Sequence, residues 1–472
     1  VIVSATGDIN ESSAISITAN GTLNVDGGGN AAIGDTVAIT NAGNFILTGS
    51  DETIGSITGA GNINLNNNTL TTGSDGTSTT VSGVISGPDG RLTKEGAGTF
   101  TLSGANTYTG ATTINAGTLQ AANASALGKN SAVTVNGGSL DLTTDLSIGS
   151  LAGAGNVTLN ANTLTTGSNN SSTTYSGVLS GNGALIKQGT GTTTLSGTNT
   201  YTGGTTINDG AIRIGAADNM GSGPLTLDGG TLQTTASFTS NRGTTLGASG
   251  GSFNIDTGTT LRESGQITGS GRLSKTGEGT LTLSGTNTYT GGTTINDGTL
   301  QIGNGGTSGT LGTGNVINNS ALVFNRSDDS SYTGVISDTG TVTKDGAGTL
   351  TLSGTNTYSG GTTINAGTIR ISANNNLGTG TLTLDGGTLQ TTSTFSSSRL
   401  TTLNAGGGTY NIDSGITLTQ SGNISGSGSL TKTGEGTLVL SGSNNTFTGG
   451  TVVADGRLIA LDGGAIAKAG NI

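Results

Sequence analysis

Threonine and leucine alternate with a period of two through most of this chain, and glycine rather than charge interrupts the alternation. In Lys275–Ile302, KTGEGTLTLSGTNTYTGGTTINDGTLQI, Leu281 and Leu283 fall on one face, and Thr293–Ile295 and Thr299–Ile302 alternate likewise. That period marks strands with one buried face, and β-branched threonine packs well on a pleated surface. Gly277, Gly279, Gly285, Gly291, Gly292 and Gly298 bracket the runs. The pattern predicts short strands joined by tight bends, with little helix.

Asp297-Gly298, between two runs, resembles a two-residue hairpin turn. Its counterparts, however, begin with Ala116 and Ala366, and a type I′ turn wants positive φ at both central positions. A single glycine after an ordinary residue suits a corner at which the chain bends and continues in the same sense. The expected fold class is therefore all-β, a parallel β-helix (β-solenoid) drawn out into an elongated rod, rather than an antiparallel meander.

The cassette recurs near 94–119, 187–214, 275–302, 344–371 and 432–458. Its lysines, Lys94, Lys187, Lys275, Lys344 and Lys432, are separated by steps of 93, 88, 69 and 88. Coils of roughly 22 to 23 residues divide these steps into about four, four, three and four turns, within the range of repeat architectures. A longer duplication is also visible, since 344 minus 187 and 432 minus 275 are both 157. Within it Leu225–Gln233 returns as Leu382–Gln390, and Phe253–Asp256 as Tyr410–Asp413. Fifty-six to 73 and 150 to 167 share a second motif. No proline-rich or charge-rich linker separates these blocks, which reads as one continuous domain over 1–472.

Composition sharpens this picture. Ninety glycines, two prolines and 3% aromatics among 472 residues exclude an ordinary globular core. With 9% charged residues the chain is not of the highly charged disordered type either. No stretch reaches the length of a transmembrane helix. A net charge of −11 argues against nucleic acid or anionic lipid as partner. Cysteine is absent, which suits a chain that crosses a narrow pore unfolded. No signal peptide opens the chain at Val1-Ile2-Val3, and no cap closes it at Ile472, so a piece of a longer precursor is expected.

The pattern K-x-G-x-G-T-L-T-L-S-G-x-N-T-Y-x-G-x-T-T-I-N-x-G-T-L resembles the autotransporter-associated β-strand repeat, or passenger-associated transport repeat, of type V secretion passengers in Gram-negative bacteria. Five copies cover about a third of the chain. The resemblance implies a right-handed parallel β-helix, secretion to the cell surface, and repeats that assist translocation and folding. It also implies an outer-membrane barrel in the full precursor, which these residues lack.

The residues offer little chemistry. The cassette lysines are expected to lie over a turn and cap carbonyls, because a catalytic lysine needs burial and a partner to lower its pKa. The cassette aromatic is Tyr108, Tyr201, Tyr289, Tyr358 and, in the last copy, Phe447, which keeps the ring without the hydroxyl, so the ring is expected to fill a gap by packing. Gly117, Gly210, Gly298, Gly367 and Gly456 are the corner glycines. Asp209, Asp297, Asp455, Asp228 and Asp385 read as turn residues, and Asp328-Asp329 as a surface loop. Asn199, Asn287 and Asn356, and also Asn115, Asn208, Asn296 and Asn365, are either stacked amide ladders or turn residues. Histidine is absent, and no catalytic, metal or cofactor site is expected. The favoured role is a surface rod, structural or adhesive, folding coil by coil as it emerges. Its partners would be a surface glycan or a host-cell receptor. The alternatives are a filament that self-associates through open coil ends and a carbohydrate-binding or carbohydrate-cleaving solenoid.

Overall fold

The computed structural model describes residues 2–4, 14–26, 33–461 and 466. They fall into two compact units, Val1–Gln233 and Thr234–Ile472. Both are all-β solenoids. Every ladder described within them is parallel, so the corner reading of Asp297-Gly298 holds. In the first unit one column of stacked strands runs from Glu52–Ile54 through Thr69–Thr72, Arg91–Lys94, Thr112–Ile114 and Ala132–Val135 to Ser150–Gly153. A second column holds Thr79–Val81, Thr99–Leu102, Thr118–Ala121 and Ser139–Leu142. A third holds Leu146–Ser147, Thr163–Thr166, Ala184–Lys187 and Thr205–Ile207.

The second unit repeats this plan. A full coil there consists of Leu382–Leu384, Thr388–Thr391 and Phe395–Ser397, after which Thr401–Leu403 stacks back on Leu382–Leu384. The period-two alternation explains the core: Leu281, Leu283, Ile295, Leu300 and Ile302 are all buried, while the intervening Thr280, Thr294 and Thr299 lie nearer the surface. Among the described residues there is no α-helix, only the 3-10 turns Ala217–Met220 and Asn374–Leu377. Among the described residues no helix is long and apolar enough to cross a membrane.

Each cassette amounts to one coil and the first two strands of the next. Leu273–Thr276 stacks on Thr293–Ile295, and Thr280–Leu283 on Thr299–Ile302. The bend between them, with Tyr289, takes the place of the coil's third strand.

The expected division into whole turns of 22 to 23 residues fails. Stacked partners are as close as 17 residues (Leu140 and Val157) and as far apart as 24 (Ile15 and Ile39). Lys94 stacks with Thr72 and Ile114 in the first column, whereas Lys187 stacks with Thr166 and Ile207 in the third. A step of 93 is thus not an integral number of coils. In the second unit Lys275, Lys344 and Lys432 likewise occupy three different columns, beside Ile295, Ile364 and Val453. Bend lengths vary from coil to coil, and all three sides give an inward residue the same kind of environment. Duplication therefore had to preserve inward alternation, not the side.

Candidate functional site: the repeated cassette

Lys275 occupies an inward position, two residues after Leu273 on the same strand face, and is buried. Its Nζ curls to the bend and donates to the carbonyls of Thr276 at 2.9 Å, Gly277 at 2.6 Å and, one coil on, Asp297 at 3.1 Å. Lys432 repeats this on Thr433, Gly434 and Asp455 at 2.7, 2.7 and 3.2 Å. Lys187 meets Gln188, Gly189 and Asp209, and Lys94 meets Glu95, Gly96 and Ala116. Lys344 donates to Gly346.

The lysines thus cap carbonyls, but from inside the coil rather than across the surface. Burial also lowers their pKa, that of Lys275 to about 8, with Asp297 pulling the other way. The expectation that nothing nearby supplies such burial is corrected. Three acceptor oxygens still favour the proton-bearing amine, because an ammonium can only donate. No nucleophilic or general-base partner accompanies it.

The corner that closes this cage needs Gly298, whose φ is 63°, and a Cβ there would collide with the carbonyl oxygens of Gly277 and Gly279. Gly117, Gly210, Gly367 and Gly456 have φ between 60° and 68°. The side chains of Asp209, Asp297 and Asp455 accept from the N–H of the following glycine, as turn residues do.

The two sets of asparagines separate cleanly. Asn287 is buried: its Oδ1 accepts from Ile267 N–H in the preceding coil at 2.8 Å, and its Nδ2 donates to Thr310 in the following coil at 2.7 Å. Asn356 bridges Ile336 and Asn376 in the same way, and Asn199 bridges Leu179 and Asn219. The amide stands in for the missing third strand by pinning three successive coils. Asn208, Asn296 and Asn365 are exposed, and Asn365 pairs with Asp345.

The tyrosines lie inside as well. Tyr108, Tyr201, Tyr289 and Tyr358 each place the hydroxyl 2.6–2.7 Å from a buried threonine, Thr112, Thr205, Thr293 and Thr362. The packing role expected of the ring therefore comes with a hydrogen bond that sequence reasoning missed. Burial raises the Tyr289 phenol to about 12. All seven tyrosines and five of seven phenylalanines are buried, and Phe238 and Phe395 are half-buried, so no aromatic shelf faces outward for sugar stacking.

Asp328 forms a two-pronged ion pair with Arg326 at 2.9 and 2.7 Å, and Asp329 accepts from Thr349 N–H. Arg326 also ties down the carbonyls of Thr307 and Gly309, so this pair belongs to a braced loop. Among the described residues no cluster of acidic side chains could hold a metal ion.

The family model described as the passenger-associated-transport-repeat matches residues 92–121, 185–214, 273–302, 342–371 and 430–460, which contain the buried lysine, the buried asparagine and the corner glycine of each copy. In these five repeats the chain resembles autotransporter passengers. The adhesin BmaC autotransporter of Brucella suis biovar 1 (strain 1330) is 37% identical to this chain over 204 residues, 38% of the chain. The chain spans only 6% of that protein's length. No solved structure matches it.

Proposed function

We propose that this passenger is a secreted, cell-surface, non-enzymatic module of adhesive type, whose cassettes act as clamps that let it fold coil by coil as it leaves a secretion pore. The observation that carries this reading is the reach of the lysine cage. Lys275 finds all three acceptors within 22 residues of itself, so a cassette closes as soon as the next corner arrives. Stability of that kind is local between neighbouring coils and does not wait for distant chain. Each closed coil offers a free strand edge to the next, and folding outside the membrane biases the chain outward without nucleotide hydrolysis.

The adhesive part of the reading is supported by the relative, which is named an adhesin. Its partners would be a surface glycan or a host-cell receptor. With the aromatic rings turned inward, contact is made by polar side chains and bends rather than by stacking. An outer-membrane barrel in the precursor would provide the anchor.

The reading is tested by displaying the passenger on a non-adherent Gram-negative strain through a heterologous barrel. Display is expected to confer attachment to epithelial cells or to arrayed glycans. Replacing all five cassette lysines by methionine is expected to lower the surface-exposed passenger several-fold at unchanged synthesis. Attachment no greater than that of the barrel alone would overturn the adhesive role, and unchanged surface levels in the lysine variant would overturn the clamp.

A further inference from the structure

Glu263 ends the strand Thr260–Glu263 on an inward position and is only 2% exposed. Its Oε2 meets no donor. A buried carboxylate with an oxygen left over is costly, and such a group ordinarily stays neutral or finds a partner.

The duplication provides a control. At the position 157 residues later the inward end of Thr417–Gln420 is Gln420, also 2% exposed. Its Nε2 donates to the carbonyl of Gly422 at 3.1 Å and to that of Arg399. The surroundings of the two positions match. Ser264 N–H donates to Ser240 at 2.8 Å, as Ser421 N–H does to Ser397 at 2.8 Å. Gly265 leaves no room for a Cβ against the Arg242 carbonyl, and Gly422 leaves none against that of Arg399. The carbonyls that take the amide protons of Gln420 thus have counterparts in Arg242 and Gly265. An ionised carboxylate has no proton to offer them.

We propose that Glu263 is built into its coil as the neutral acid, its single O–H serving one of the two carbonyls that the Gln420 amide serves in the other copy, and that this rung is a pH-sensitive joint that opens as the acid ionises. Two groups facing Glu263 favour the carboxylate, the Ser240 hydroxyl and the Arg242 guanidinium, while the strand below presents the apolar Leu283. Burial outweighs both and raises the carboxyl to about 8. A carboxyl raised on folding contributes stability that is complete below its unfolded pKa of about 4.5 and is lost as pH climbs to about 8. Opening of this rung should grow by up to about tenfold per pH unit inside that window. The Gln420 rung carries no such dependence.

Hydrogen exchange of the whole chain between pH 5 and 9, corrected for intrinsic exchange, reads the two rungs separately. Peptides over 240–265 are expected to show an opening constant that rises by roughly a few hundredfold from pH 5 to 8, while those over 397–422 stay level. Glu263→Gln should flatten the first response, and Gln420→Glu should install the same response in the second. An identical pH response in the native chain and the Glu263→Gln variant would overturn the proposal. So would a Gln420→Glu variant whose rung stays level, or a Glu263 carboxyl that titrates near 4.5 by carbon-13 NMR.

Discussion

Residues 238–302 and 395–460 are two copies of one block, and they place their phenolic oxygens at opposite ends. In the first copy Tyr289 meets Thr293 at 2.7 Å, while Phe253 leaves the buried Thr244 hydroxyl without a partner. In the second copy Tyr410 meets Thr401 at 3.0 Å, and Phe447 leaves the buried Thr451 hydroxyl without one. Each copy keeps one tyrosine–threonine pair and forgoes the other. Both positions therefore require a six-membered ring of fixed volume, and the hydroxyl adds a bond worth about 1 kcal/mol. An unpaired threonine hydroxyl is an affordable loss at either place, though not a free one.

Against that background the lysine cage is the feature neither copy has relinquished. Lys275→Met should cost the most, on the order of 3 kcal/mol of local stability, because three carbonyls lose their donor in a dry interior. Lys432→Met should match it, as read by hydrogen exchange over the bend in each copy. A neutral result in either copy would mean that the cage is incidental to folding.

Asn287→Ala ranks next, at about 2 kcal/mol, because it strips partners from Ile267 N–H and the Thr310 carbonyl in two different coils. Asn445→Ala leaves Ile424 N–H unpaired, and comparison of the two variants reads how far the extra residue of the second copy, between Gly442 and Asn445, has altered the bridge. Tyr289→Phe should cost about 1 kcal/mol, measured by denaturant titration of protection at the bend, by making the first copy resemble the second. Smallest is the reverse exchange: Phe447→Tyr should gain up to about 1 kcal/mol if the hydroxyl reaches Thr451. No gain would indicate that the longer bend has moved the ring out of reach.

Much of the architecture was legible in the chain. The parity of leucines identified the inward face, and the alanines at 116 and 366 argued for corners and parallel coils. Parity would also have located the lysines: Lys275 shares the face of Leu273, as Lys94 shares that of Leu92. Charge outweighed parity in the expectation, because a buried ammonium looks prohibitive until its three carbonyls are in view. Asn287 and Tyr289 have the same parity, and both point inward. Coil length was less accessible, because bends of differing length blur the period and the cassette does not return to one side. Glu263 could have been noticed by aligning it with Gln420, but the Arg242 carbonyl that helps make its neutrality useful comes from the preceding coil and is visible only in three dimensions.

The change of side from one cassette to the next has a consequence for bracing. In the unit 234–472 the same bend turns up beneath Lys275, Lys344 and Lys432 on three different columns. The motif therefore faces three directions around the stack of coils in that unit. Three equivalent aspects spread the clamps around the stacking axis, so no one side of the unit carries all of the bracing.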